Sequence, residues 1–496
     1  MPFLRVQSEL TQVRFNLLKH SIQSRICSWA AGLLLCTVGS ACSGRGAAQS
    51  APIPPSPAPG PPSAASFQGS VPQGTASPSV IDLSLDDAIR RGIETNLGII
   101  LSGAQTAGAR AQRLSQLQTL LPAVDFNAKE TVTQTDLPAE GLRLPDFPKI
   151  IGPFGFTDVR ASMTWSLVDV SSLRNYLAAR HNFDAAQLSA QDARDLVVLT
   201  VGNAYLLVLA DGTEVASVQA EVDTAKISLD QAVANHQAGT APLLDELRAR
   251  VDYQSLEQQL IAARNAEEKD KLALARTIGL PLDQKFSLSD HAPYAPFDAL
   301  DAGALIKQAK ENRKDLAALV ETAAAAAQQR KAATAARLPS VSIDSDYGDI
   351  GTTLAHSHGT VDATAALNVP VFEEFALRGQ AQQAQAQLDT AQAQLSDRQA
   401  QVEADVRDAL LDIASAEQQV QVADSSRSLA REALSEAQQR YANGVSDNLA
   451  VSQAQQSLAQ ADGQYVASLY RYNVAKLSLA RALGAGQDYK KYVGGK

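Results

Sequence analysis

The sequence predicts a mainly α fold with β-hairpins, built from one unit written twice in tandem. Three observations predict it. First, "LALARTIGL" (272–280) and "LSLARALGA" (477–485) share five of nine positions and stand 205 residues apart. Second, two stretches of nearly 70 residues lack proline, and the later one carries apolar residues at alternating spacings of three and four. That is the seam of long packed helices. Third, a pair of short segments with period-two polarity precedes each of these stretches, and period two means strand.

Taken in chain order, residues 1–42 read as an export signal. Arg5, Arg14, Lys19 and Arg25 form a basic leader before the apolar "AAGLLLCTVGSA" (30–41), which is too short to span a bilayer as a helix. "VGSAC" (38–42) resembles a lipobox, which would make Cys42 the lipidated first residue. "GAA" (46–48) offers the other reading, ordinary cleavage near 48/49. Residues 43–80 are rich in proline, serine and alanine and read as a linker. All three cysteines, Cys27, Cys36 and Cys42, lie in the leader, so no disulfide or thiolate metal site is expected in the body.

The first copy spans 81–285. It opens with "LSLDDAIRRGIETN" (83–96), where Ser84 is a candidate N-cap ahead of Asp86 and Asp87, and the helix is expected to continue to Leu121. Pro122 breaks it. Strands are expected at about 122–134 and 157–168, joined by a Pro- and Gly-rich loop. A rod follows at about 170–236, then a turn at Gly239, then a return helix over 243–279. After a connector (286–301), the second copy spans 302–486 with the same plan. Its strands are expected at about 339–350 and 360–371, its rod at 376–442, its turn at Gly444 and its return helix at 448–484. Residues 487–496 form a tail. In the second rod, Val406, Ala409, Ile413, Ala416, Val420 and Ala423 mark the seam. A helix of this length spans about 100 Å, so the molecule must be elongated.

Two-stranded hairpins are barely stable alone, and four strands cannot close a membrane barrel. Exported strands with alternating polarity, and with Trp165 and Phe372 near their helical ends, suggest a barrel completed by oligomerisation. The net charge of −10 argues against nucleic-acid binding.

In order and duplication, "LSLDDAIRRGIETN", "LLPAVDF", "WSLVDVSSLRNYLAARHNFDAA", "AYLLVLA", "QAGTAPLLDEL", "LARTIG" and their second-copy partners resemble the outer-membrane efflux protein family, the TolC-like exit ducts. The resemblance implies a homotrimer. Tandem-duplicated helical hairpins would form a periplasmic α-barrel, and four strands per chain would contribute to a trimeric transmembrane β-barrel in outer-membrane lipid of a Gram-negative bacterium. It implies a passive duct of a tripartite efflux system. The duct would be served by a periplasmic adaptor (membrane fusion) protein and an inner-membrane pump of the RND, ABC or MFS type. It further implies an adaptor-docking tip at Gln237, Ala238, Gly239, Thr240 and Ala241, and at Asn443, Gly444, Val445 and Ser446. Relatives place constricting aspartates just past the second turn, where this chain has Ala450 and Gln453. Only the first turn keeps candidate mouth acids, Asp245 and Glu246.

Two other readings use the same features. One is a duct for type I protein secretion. The other is a periplasmic adaptor or structural coiled coil, against which the second set of rods and hairpins speaks. No nucleophile motif or phosphate loop is present, so no enzyme activity and no cofactor are expected. His356 and His358 are close in sequence, but two histidines without a third ligand do not predict a metal.

Overall fold

The computed structural model describes residues 64–493, except 140, 142–147, 291–293, 295, 298–300, 444 and 447. Cys42 and Gly444 therefore lie outside the described residues.

The first repeat begins with strand β1 (Ile81–Leu83) and helix α1 (Leu85–Thr95). Ser84 caps α1 as its sequence position suggests, its side chain accepting from the Asp87 backbone N–H. The helix does not run on to Leu121. It stops at Asn96, and α2 (Leu97–Gln118) restarts immediately. Asn96 holds an extended backbone at ψ 131°. Its side-chain oxygen accepts from Gly98 N–H at 2.8 Å, and its amide donates to Phe67 O at 2.7 Å. An asparagine that can cap a new helix competes effectively with continuation of the old one. Arg313 makes the equivalent break in the second repeat, between α5 (Ala302–Asn312) and α6 (Lys314–Ala335).

Strands β2 (Ala123–Asp136) and β3 (Ile150–Val168) form the first hairpin, and β5 (Ser340–Gly351) and β6 (Ser357–Asn368) the second. β3 starts seven residues before the alternation begins, because Ile150 and Ile151 still pair with Asp136 and Thr135 across an irregularity. The four strands make one antiparallel sheet in the order β2-β3-β5-β6. β4 (Phe286–Leu288) lies in the stretch read as a connector and pairs in parallel with β1.

The rods are α3 (Val170–Gln237) and α7 (Glu374–Ala442), with 68 and 69 residues. Their return helices are α4 (Leu243–Ile278) and α8 (Asn448–Ala482). All six seam residues of α7 are buried, packed with Tyr472, Ala475, Leu479 and Ala482 of α8. Those α8 positions repeat at three, four and three, so the two seams interlock as in a coiled coil. α3 contains a window apolar enough to cross a membrane. Its Val197, Val198, Val201, Tyr205 and Leu206 instead fill a core with Ile89 of α1 and with Leu274 and Ile278 of α4.

The duplicated motif "LAR..G" has a structural reason. Gly279 and Gly484 end the two return helices with φ of +72° and +66°. A Cβ on Gly279 would sit 2.6 Å from Thr95 Oγ1, and one on Gly484 would sit 2.9 Å from the Arg313 backbone nitrogen. Each glycine is thus both the left-handed helix terminator and the point where the return helix meets the break in its opening helix pair.

Candidate docking tip and duct wall

At the first tip, Gly239 adopts φ +72°. The Asn235 carbonyl accepts from Thr240 N–H (2.9 Å), Ala241 N–H (3.2 Å) and the Thr240 hydroxyl (2.9 Å). With Ala238 N–H donating to Ala234 O and Gly239 N–H to His236 O, the turn's own backbone satisfies these last carbonyls of α3. Gln237, Ala238, Gly239 and Thr240 are exposed, and Ala241 is half-buried. At the second tip Asn443 and Val445 are exposed and Ser446 is half-buried, with Val445 N–H donating to Arg440 O at 2.9 Å.

Asp245 and Glu246 stand in the first turn of α4, whose N-cap, Pro242, provides no side-chain hydrogen bond. Carboxylates there complement the helix dipole. Asp245 is buried, with Arg248 at 3.8 Å, and Glu246 pairs with Arg250 at 2.8 Å. The same turns carry a feature the sequence reading missed. Leu243, Leu247 and Val251, spaced four apart, are all about half exposed or more, as is Leu244. The doubled leucine at the start of a return helix was the available signal. A stripe of that spacing occupies one helix face with nothing from this chain covering it.

At the other end, the ladder register sorts the sheet into two faces. One face carries Val124, Phe126, Ala161, Met163, Trp165, Ile343, Tyr347, Val361, Ala363 and Leu367. Opposed pairs such as Phe126–Ala161, Ala161–Tyr347 and Tyr347–Val361 run as one row across all four strands. The other carries Asp125, Asn127, Lys129, Arg160, Ser162, Asp344, Asp346, Asp362 and Thr364. Arg160 is paired on this face with Asp158 and Asp346, both at 2.8 Å. The apolar face is bare: Phe126 is 72% and Val361 76% exposed. β2 and β6 are edge strands with one unpaired side each.

Between the two helical hairpins lies a cavity of about 750 Å³. Glu214, Glu221, Asp252, Asp462, Arg427 and Arg431 line it. Burial, with Asp462 and Glu214 nearby, pushes the Glu221 carboxyl up to about 7. Just beyond it, burial and a hydrogen bond donated to Asp270 push the Asp211 carboxyl up to about 7. Arg427 and Arg431 both approach Asp462, at 3.9 and 3.3 Å.

An apolar-out, polar-in strand set joined to rods that end in exposed turns defines a membrane duct subunit with an aqueous helical extension. The comparisons agree. The "Outer membrane efflux protein" family profile matches residues 102–280 and again 305–485. The chain is 25% identical over 405 residues to the pyoverdine export outer membrane protein OpmQ of Pseudomonas putida, covering 81% of this chain and 86% of that one. It is 25% identical over 445 residues to the outer membrane protein OprJ of Pseudomonas aeruginosa, covering 82% and 85%. The Campylobacter jejuni CmeC outer membrane channel superimposes with a TM-score of 0.74 at 17% identity, over 86% of this chain and 95% of that one. VceC of Vibrio cholerae does so with a TM-score of 0.71 at 20% identity, over 81% and 96%. The chain belongs to the outer membrane efflux protein family. It is an outer-membrane efflux channel subunit with a periplasmic helical extension.

Proposed function

We propose that three copies of this chain close a twelve-stranded barrel, four strands from each, and conduct solutes passively from a periplasmic adaptor and an inner-membrane pump of the RND, ABC or MFS type. The observation that carries this reading is the two-faced sheet. A soluble protein buries the apolar face of a sheet against its own helices; here that face is uncovered from edge to edge, and both edge strands have free backbone groups. Lipid satisfies the face and neighbouring copies satisfy the edges.

Adaptor docking belongs to the two tips, 237–241 and 443–446. Their polar turns and the adjoining Leu243, Leu247 and Val251 stripe fit a partner helix whose own seam is apolar. Asp245 and Glu246 would narrow the mouth from the first repeat only.

Chemical cross-linking of the detergent-extracted outer-membrane fraction tests the assembly. The expected ladder ends at three copies. Recovery of the chain as a soluble periplasmic monomer would overturn the reading. A photo-cross-linker at Thr240 should capture the adaptor, while one at Asp362 on the lumenal sheet face should not.

A further inference from the structure

His181 and Asp184 stand one turn apart on α3, and Glu321 faces them from α6. His181 Nδ1 and Glu321 Oε2 are 2.6 Å apart. The ligand-capable atoms of all three residues lie within 4.8 Å of one another, and all three are half-buried. Among the described residues they form one imidazole and two carboxylates converging from two helices of different repeats.

Four facts favour a metal over a simple ion pair. A shared proton accounts for the His181–Glu321 contact, but it leaves Asp184 directed at the same point without a role in it. Two carboxyl groups and one imidazole converge where helix meets helix, a donor set that a dication would hold together. The spacing also fits. With bonds of about 2.0–2.2 Å and near-tetrahedral angles, neighbouring ligand atoms stand roughly 3.4 Å apart. The His181–Glu321 separation is 2.6 Å and no pair of ligand-capable atoms is more than 4.8 Å apart, so small side-chain movements reach that spacing. Finally, both helices are held in place nearby, by Arg174–Gln328 at 3.2 Å across α3 and α6 and by Thr106 donating to Ala186 O at 3.2 Å. Ligands on fixed helices make a more exact site than ligands on loops.

We propose that His181, Asp184 and Glu321 bind a divalent first-row transition metal, zinc in the first place, and that the ion staples α3 of the first repeat to α6 of the second. Imidazole Nδ1 and one oxygen from each carboxylate supply three ligands. Glu321 also lines a cavity of about 330 Å³ beside Leu188 and Gln399, which gives a fourth, water-filled position room. The mixed N and O donor set suits zinc, cobalt or nickel better than calcium or magnesium.

The test uses the full chain, in detergent, after stripping with EDTA. Zinc is titrated in competition with a chromophoric chelator, and cobalt is added in parallel for its visible absorption. One zinc per chain and tetrahedral cobalt bands are expected. Changes to outer-shell groups alone cost about 10–100-fold in metal affinity. His181→Ala, Asp184→Asn and Glu321→Gln should each weaken binding at least that much. The double variant His356→Ala/His358→Ala should bind like the parent. Asp184→Asn keeps shape and hydrogen bonding, so it reports even where His181→Ala disturbs the helix pair. No zinc bound by the parent, unchanged affinity in Asp184→Asn, or loss confined to the His356/His358 variant would each overturn the proposal.

Discussion

Three glycines share nearly one backbone conformation and differ only in what surrounds them. Gly239, Gly279 and Gly484 have φ of +72°, +72° and +66°. Adding a methyl group to any of them forces an L residue into the left-handed region, at about 1–2 kcal/mol. For Gly239 that is the whole cost, because no atom lies within 4 Å of its added Cβ. For Gly484 the new carbon meets the Arg313 backbone nitrogen and the Asn312 carbonyl carbon, both at 2.9 Å, and Arg313 Cα at 3.0 Å. Backbone at that distance cannot swing aside. Arg313 is further held by Asp405 at 2.6 Å and Asp315 at 2.7 Å. Overpacking adds about 1–3 kcal/mol, for a total of about 2–5. Gly279 falls between, since its nearest neighbours are the Thr95 side-chain atoms at 2.6–3.0 Å. Apparent unfolding temperatures of the three alanine variants, measured by circular dichroism at one heating rate in one detergent, should rank Gly239→Ala highest and Gly484→Ala lowest. Equal shifts for Gly239→Ala and Gly484→Ala would refute the idea that the repeated glycine is retained for close approach as well as for φ.

Two further outcomes follow from the packing and the charges. Ile413→Ala opens a cavity in the α7–α8 seam and should cost about 2–5 kcal/mol, whereas Leu411→Ala, at a position 68% exposed, should change the unfolding temperature little; comparable losses at both positions would remove α7 from the coiled-coil reading. Glu221 binds its proton more tightly folded than unfolded, so the folded state gains stability at low pH and loses it as pH rises from about 4.5 through about 7. Unfolding temperature should therefore decline across that window, and Glu221→Gln should flatten the decline. An unchanged slope in the variant would show that the carboxyl does not set it.

The rods were legible because their signal is local and long. A seam repeating every seven residues over dozens of positions leaves no competing period, and Val406 to Ala423 are buried as the spacing requires. The four hairpin strands were legible from local period-two polarity, although β3 starts earlier than that alternation and β4 was read as part of a connector. The break at Asn96 was not, because Asn96 donates to Phe67 O, 29 residues away in sequence, and the preceding Thr95 packs against Gly279, 184 positions later. Neither was the adjacency of β3 to β5, which joins the two repeats in one sheet and is fixed by tertiary packing alone. His181 and Asp184 looked like ordinary rod residues, since the carboxylate that completes their cluster lies 140 positions later. The raised carboxyls of the cavity were hidden similarly: each acid is unremarkable in its own helix, and only the meeting of α3, α4, α7 and α8 removes their water.

The two repeats differ most where the least depends on length. Offsets between matched positions are 217 before the hairpins and 204 or 205 after them, so the first repeat carries its extra residues within its hairpin. There the link between β2 and β3, from Asp136 to Ile150, is longer than the link from Gly351 to Ser357. A loop of that kind absorbs insertion at small entropic cost. The rods show the opposite behaviour, at 68 and 69 residues. One inserted residue would rotate the rest of a helix by about 100° and move its seam out of the partner helix. It would also advance one tip relative to the other by about 1.5 Å. Four inserted residues would nearly restore the seam yet separate the tips by about 6 Å. Core packing alone therefore tolerates some length changes that a common docking plane does not. Near-equality of the two rods is what six tips in one ring of three chains would require, and it links the duplicated sequence to the proposed adaptor contact.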